Sequence, residues 1–234
     1  MKIKPTLNLY KDFYEELNPE LLDKINLINK VIDSGLLDNS LVQNFNDKGF
    51  RTDFGLNILA FKLREEYISK FGFSLMNQLL IDELAFHFEN KEVIELGAGT
   101  GWLSHLLQNK NIDIQPIDLY HIDKNDYNFY QYHTNVLNIS AQDYLAQNKN
   151  YDCILMSWPN YGTDFAAQSL DLIPKGKQLI YIGESCGGCT ANDRFFDLLD
   201  ARCLLNEEKT SQLQKFTTRW SGLHDDIYIY DVVN

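Results

Sequence analysis

The feature that most constrains this chain is the run Val93-Ile94-Glu95-Leu96-Gly97-Ala98-Gly99-Thr100-Gly101-Trp102-Leu103-Ser104, where a short apolar stretch ends in three alternate glycines. A turn of this kind needs backbone angles that a side chain forbids, or brings backbone close to a ligand. It predicts a buried strand, a tight turn and a helix at a nucleotide-type site. A dinucleotide fingerprint, G-x-G-x-x-G, would require glycine at 102, where this chain has Trp102, so a nicotinamide-dependent oxidoreductase fits the turn poorly. Read alone, the glycines also fit a plain tight turn.

Around this turn the texture changes. From about 10 to 90 the apolar positions recur at helical spacing, as in Leu21, Leu22, Ile25, Ile28 and Val31 after Asn18-Pro19. A break at Asn44 to Gly55 precedes renewed helical patterning through Ile58, Phe61, Leu63 and Tyr67, and Phe71-Gly-Phe73-Ser74 interrupts it again. Leu79, Leu80, Leu84 and Phe88 share one face of a helix predicted from Leu75 to Phe88. Residues 1–90 are therefore expected to form a helical cap, and 91–234 an α/β core.

In that core, short apolar runs alternate with helical stretches, as when crossover helices join parallel strands. Strands are predicted at Val93 to Leu96, Ile112 to Leu119, Thr134 to Ile139, Cys153 to Ser157 and Gln178 to Ile182. Helices are predicted near Trp102 to Asn109, Ala141 to Gln147, Phe165 to Ile173 and Asn192 to Leu199. A last strand, Ile227 to Val233, is rich in β-formers and is expected to pair in a hairpin with a strand near Phe216 to Trp220.

Composition narrows the partners. A net charge of -12, with no basic stripe, argues against nucleic acid and leaves a small molecule or a protein as the substrate. No apolar run approaches the roughly 20 residues that cross a bilayer, and a cytoplasmic protein is expected. The four cysteines are too few for a disulfide framework and are expected as reduced thiols. Cys186-Gly-Gly-Cys189 has no second pair at matching spacing, so no metal is expected there.

The segment Glu95-Leu-Gly-Ala-Gly-Thr-Gly-Trp-Leu-Ser104 resembles the first motif of class I, S-adenosyl-L-methionine-dependent methyltransferases, and later segments follow the same order over residues 92–234. The resemblance implies a three-layer, Rossmann-like α/β fold, with a mostly parallel seven-stranded sheet whose last strand is antiparallel. It implies that Gly97, Gly99 and Gly101 lie under the methionine part of the cofactor and that Glu95 serves its amino group. Asp118, ending the second strand, would accept from both ribose hydroxyls, which an ionised carboxylate does without donating. Ser140 and Ala141 would meet adenine, although the family often has Asp where this chain has Ser140. Asp143 could instead serve a helix N-terminus.

Ser157-Trp158-Pro159-Asn160-Tyr161 is similar to the D/N/S-P-P-Y/F turn of amino-group methyltransferases, with two departures in either register. Ser157, Asn160 and Tyr161, with Glu184 after the fifth strand, are the candidate catalytic residues, and Trp158 and Pro159 the candidate substrate contacts. Direct in-line displacement from an activated sulfonium asks the protein mainly for orientation and exclusion of water. Methyl transfer is the expected function, to a nitrogen of a small molecule or protein on the strength of this turn, with an oxygen acceptor left open. The alternative is a regulatory protein that binds the cofactor without turnover, which the incomplete turn permits.

Overall fold

The computed structural model describes residues 29–38, 64–119, 131–220 and 223–234. Within the expected cap, residues 29–34 and 64–71 are helical, followed by α1 (Gln78–Phe88). The expected positions Leu21, Leu22, Ile25, Ile28, Ile58, Phe61 and Leu63, and the break from Asn44 to Gly55, lie outside the described residues. Helix α1 starts three residues later than its apolar pattern suggests. Asn77 is extended and accepts from Leu80 N at 2.9 Å, an N-cap that excludes Leu75 and Met76 from the helix.

The core follows as β1 (Val93–Leu96), α2 (Trp102–Gln108), β2 (Ile114–Asp118), β3 (Leu137–Asn138), α3 (Ala141–Gln147), β4 (Cys153–Ser157), α4 (Phe165–Leu172) and β5 (Gln178–Gly183). Then come α5 (Asp193–Arg202), β6 (Cys203–Leu205), α6 (Glu207–Gln214) and β7 (Asp226–Val232). Among the described residues they form one seven-stranded sheet in the order β3-β2-β1-β4-β5-β7-β6, in which β7 alone runs opposite to the rest.

Alternation along the central strands builds two cores, because successive side chains leave a strand on opposite faces. Ile154 and Met156 of β4 join Ala141, Leu145, Ala167, Leu170, Phe195 and Leu199 from α3, α4 and α5. Cys153 and Leu155 join Leu80, Leu84, Leu103, Leu107 and Leu213 from α1, α2 and α6. The result is the three-layer α/β arrangement expected from the sequence. Cys153 and Cys203 are buried, Cys186 and Cys189 are exposed, and all four are free thiols. No described helix is long and apolar enough to cross a membrane.

Two strand expectations are corrected. β7 pairs with β5 and β6, not with residues 216–220, which form no strand. Helix α6 intervenes, capped by Asn206 accepting from Lys209 N, and the following threonines tie loops: Thr217 Oγ1 donates to Gln214 O and Thr218 Oγ1 to Leu75 O. The third strand is two residues long rather than six. Before it, Thr134 donates to Gln108 Oε1 at 2.7 Å and Val136 is buried beneath the glycine turn, so these residues support the turn instead of extending the sheet edge.

Candidate functional site

The glycine turn leaves β1 at the carboxyl edge of the parallel strands, where open α/β sheets bind ligands. Gly97, Gly99 and Gly101 have φ of 70°, 54° and 70°, the left-handed region that disfavours a side chain. At two of them packing adds a second reason: a Cβ on Gly97 would stand 3.1 Å from the Phe165 ring, and one on Gly101 would stand 2.7 Å from Val136 Cγ2. The backbone is pinned from β2, since Ile117 O accepts from both Gly97 N and Ala98 N at 3.0 Å.

Glu95 lies under the turn and is 2% exposed. Its Oε2 accepts from Ser104 Oγ at 2.5 Å and from Ser104 N at 3.2 Å. Burial pushes its carboxyl up to about 7, against the pull of the Ser104 donors, and the nearby Asp118 carboxylate adds to the rise. Asp118 ends β2 and accepts from Gly99 N at 2.7 Å, locking the strand end to the turn. Ser140 N-caps α3: its Oγ accepts from Asp143 N at 3.0 Å and donates to Asp143 Oδ2 at 2.7 Å. Asp143 thus serves the helix N-terminus, the second of the two roles its position allows.

These groups border one cavity of about 350 Å³. Glu95, Gly97, Gly99, Asp118, Ser140 and Ala141 line it from the sheet, and Phe71 to Ser74 with Met76 line it from the segment before α1. That segment is clamped to the turn. Thr100 Oγ1 donates to Phe71 O at 2.8 Å, and Trp102 Nε1 donates to Gly35 O at 3.0 Å. The Trp102 ring also packs on Phe71, with centroids 4.8 Å apart. Trp102 therefore fills the place of a third dinucleotide glycine with a post for the N-terminal segments.

On the opposite wall the cavity meets Ser157, Trp158, Pro159 and Asn160. Ser157 Oγ lies 2.8 Å from Ser74 Oγ, a hydroxyl pair joining β4 to the covering segment. Trp158 has φ 53°, a strained value for a bulky residue. Its N donates to Ile182 O at 2.8 Å, its ring stacks on Phe73 at 5.1 Å and 6°, and Arg64 Cζ lies 5.2 Å from its centroid. Asn160 Oδ1 closes a small turn by accepting from Gly162 N at 2.7 Å.

Three remaining candidates do not line the cavity, and the first is Gly101, which faces Val136 and Thr134 at the foot of the turn. Tyr161 is 52% exposed and outside the cavity wall. Glu184 is buried but does not line the cavity: Oε2 accepts from Cys189 N at 2.6 Å and Oε1 from His224 N at 2.8 Å. Burial pushes its carboxyl up, but those backbone donors outweigh it and hold Glu184 below the usual carboxylate range. Its place is that of a brace between two loops. Sequence reasoning passed over Asp225, 4% exposed, whose carboxyl burial pushes up to about 6 while the Trp158 side chain draws it back.

No protein-family model matches the chain, and no curated protein matches it in sequence. Solved structures are similar to it in outline. A Burkholderia thailandensis 1,6-didemethyltoxoflavin-N1-methyltransferase, solved with S-adenosylhomocysteine, is 12% identical with a TM-score of 0.42, covering 67% of this chain and 78% of that one. An Archaeoglobus fulgidus SAM-dependent methyltransferase is 13% identical with a TM-score of 0.40, covering 65% and 93%. A Synechocystis magnesium protoporphyrin IX methyltransferase with bound SAM is 12% identical with a TM-score of 0.41, covering 67% and 79%. At these values the likeness is one of outline and brings no substrate with it. The sheet order, the single reversed strand β7 and the glycine turn leaving β1 give this chain the three-layer, Rossmann-like α/β fold with a mostly parallel seven-stranded sheet.

Proposed function

We propose that this chain is an S-adenosyl-L-methionine-dependent methyltransferase acting on a nitrogen of a small molecule or protein. The observation that supports it most is the convergence of the left-handed glycine turn, Glu95 and Asp118 on one cavity at the carboxyl edge of β1 and β2. The donor set suits the cofactor: a carboxyl for an ammonium, a carboxylate for a vicinal diol, and exposed turn backbone between them. When bound, S-adenosyl-L-methionine supplies a methyl group on a sulfonium already activated for displacement.

The chain's own residues then bind, orient and exclude water. Glu95 and the turn hold the amino-acid end, Asp118 the ribose, and Ala141 with Ser140 the adenine side. Phe71 to Met76 cover the cavity, strengthening polar contacts inside it. The Ser74 and Ser157 hydroxyls keep hydrogen-bonding capacity beyond their mutual contact and can steer the incoming nucleophile. Trp158, Pro159 and Asn160 shape that approach, whereas Glu184 and Tyr161 take no direct part.

Calorimetry with S-adenosylmethionine, S-adenosylhomocysteine and NAD tests the cofactor. Binding of the first two and not the third is expected, and the reverse overturns the reading. A screen with labelled methyl donor then tests turnover. The engagement of Glu184 in backbone contacts favours, as a second reading, a regulatory protein that keeps the cofactor without transfer. Cofactor binding with no methylated acceptor would select it.

A further inference from the structure

A methyl transfer needs room for two molecules, and the cavity of about 350 Å³ stands near the lower end of small-molecule sites, roughly 300–1,000 Å³. Trp158 lines it, while Arg64 and Asp225 next to Trp158 do not. Three buried polar atoms in this group make no well-formed hydrogen bond, Arg64 Nε, Trp158 Nε1 and Asp225 Oδ1, and the indole stands just near enough to Asp225 to draw its carboxyl down. Each such atom costs about 1–3 kcal/mol in a folded protein, so three together in one cluster call for an explanation. Trp158 adds a left-handed backbone, a further strain of the kind that gathers at ligand sites.

We propose that Arg64, Trp158 and Asp225 form the acceptor subsite, reached when Trp158 leaves its place on Phe73, and that the acceptor is a small planar amine carrying an acidic group. The inference rests on the methyltransferase reading and names the substrate class of that site. With the indole displaced from Asp225, two donors, the guanidinium Nε–H and the indole N–H, match a carboxylate of the ligand. One orphan acceptor, the Asp225 carboxyl, matches an amine N–H. The Phe73 ring, parallel to Trp158 at 5.1 Å, marks a slot that accepts a flat ring once the indole moves. Glu184 supports the subsite from behind, since the His224 N–H it holds fixes the chain immediately before Asp225.

The test uses 2-aminobenzoate, aniline and benzoate as probes, titrated by NMR into the full chain saturated with S-adenosylhomocysteine. The first carries both groups on one ring, and the others one each. 2-Aminobenzoate should bind at least about 10-fold more tightly than either, the range of one charge-assisted hydrogen bond. Asp225→Asn should remove the advantage over benzoate, and Arg64→Gln the advantage over aniline, with S-adenosylhomocysteine affinity unchanged. Melting temperatures of both variants should stay within about 5 °C of wild type, because each substitution keeps a polar side chain of similar size in place of the charged one. Equal binding of the three probes, binding of none, indifference to both substitutions, or a fall of more than about 5 °C on substitution each overturns the subsite. Failure of the wild-type chain to bind S-adenosylhomocysteine would instead strike the cofactor reading.

Discussion

Glu95 and Glu184 are both buried carboxyls at the carboxyl edge of the sheet, one in β1 and the other directly after β5, and they are held in opposite ways. Glu95 meets donors from one residue, Ser104, on a single oxygen, so burial dominates and its carboxyl rises to about 7. Glu184 receives one backbone N–H on each oxygen, from Cys189 and His224, and stays below its ordinary range despite burial. A carboxyl left partly unsatisfied beside a cavity is poised for a ligand cation. One satisfied on both oxygens by the chain is a structural tie. The carboxyl on the β1–β2 half of the edge thus keeps capacity for a ligand, and the one on the β5–β7 half ties the loops that carry Cys189 and His224.

The strongest way to break this contrast is Gly101→Val. The substitution sets a Cβ 2.7 Å from Val136 Cγ2 at φ 70°, adding overpacking to left-handed strain. A loss of about 2–5 kcal/mol in chemical denaturation is expected. A variant of wild-type stability would mean that the turn is not rigidly seated on residues 134–136. Asp118→Ala should come next, weakening S-adenosylhomocysteine by about 1.5–3 kcal/mol in calorimetry. Because Asp118 also orders Gly99 N, a 2'-deoxy analogue separates the roles: it should lose much less on substitution if the ribose is read.

How far these two halves were legible in the sequence follows from what fixes each. The glycine turn, Glu95 and Asp118 were visible because left-handed angles and strand ends leave residue types that stand out in one dimension. β1 and β4 were placed to the residue for the same reason, as short apolar runs with sharp ends. β6 was missed, being three residues long with Leu204 and Leu205 exposed, and so was the pairing of β7, which depends on contacts distant in sequence. Glu184, after a strand end, could be read from its position as a site residue or as a cap of the next segment. Its role is set by two backbone donors, one of them 40 residues away, which no local pattern records. Arg64 and Asp225 stand 161 positions apart and come together only in the fold.

The two glutamates should also differ in sign against pH. A carboxyl raised in the folded state binds more protons folded than unfolded, so Glu95 makes stability fall as pH rises from about 4.5 to about 7. Glu95→Gln should flatten that fall in denaturation curves taken across the interval. Glu184 is lowered, so its contribution is present above its unfolded pKa and is lost as pH falls through its folded value. Glu184→Gln should cost about 1–3 kcal/mol at neutral pH by turning an amide N–H toward a backbone donor, and the cost should shrink in acid. Like pH slopes for both variants would erase the distinction between binding carboxyl and tie.

The smallest effect belongs to Tyr161→Ala, and its smallness is informative. The side chain is 52% exposed and outside the cavity wall, so its removal leaves no buried donor unpaired and no core void. Stability should stay within about 0.5 kcal/mol of wild type, and S-adenosylhomocysteine affinity should be unchanged. Asn160→Ala, two residues before Gly162, removes the acceptor for Gly162 N and should loosen the wall itself, at a cost of about 1 kcal/mol. With an acceptor in hand, the pair divides the turn: methyl transfer falling for Asn160→Ala and holding for Tyr161→Ala places the working surface on the cavity side. An equal fall for both would carry that surface outward past the wall, onto the face that Tyr161 presents to solvent.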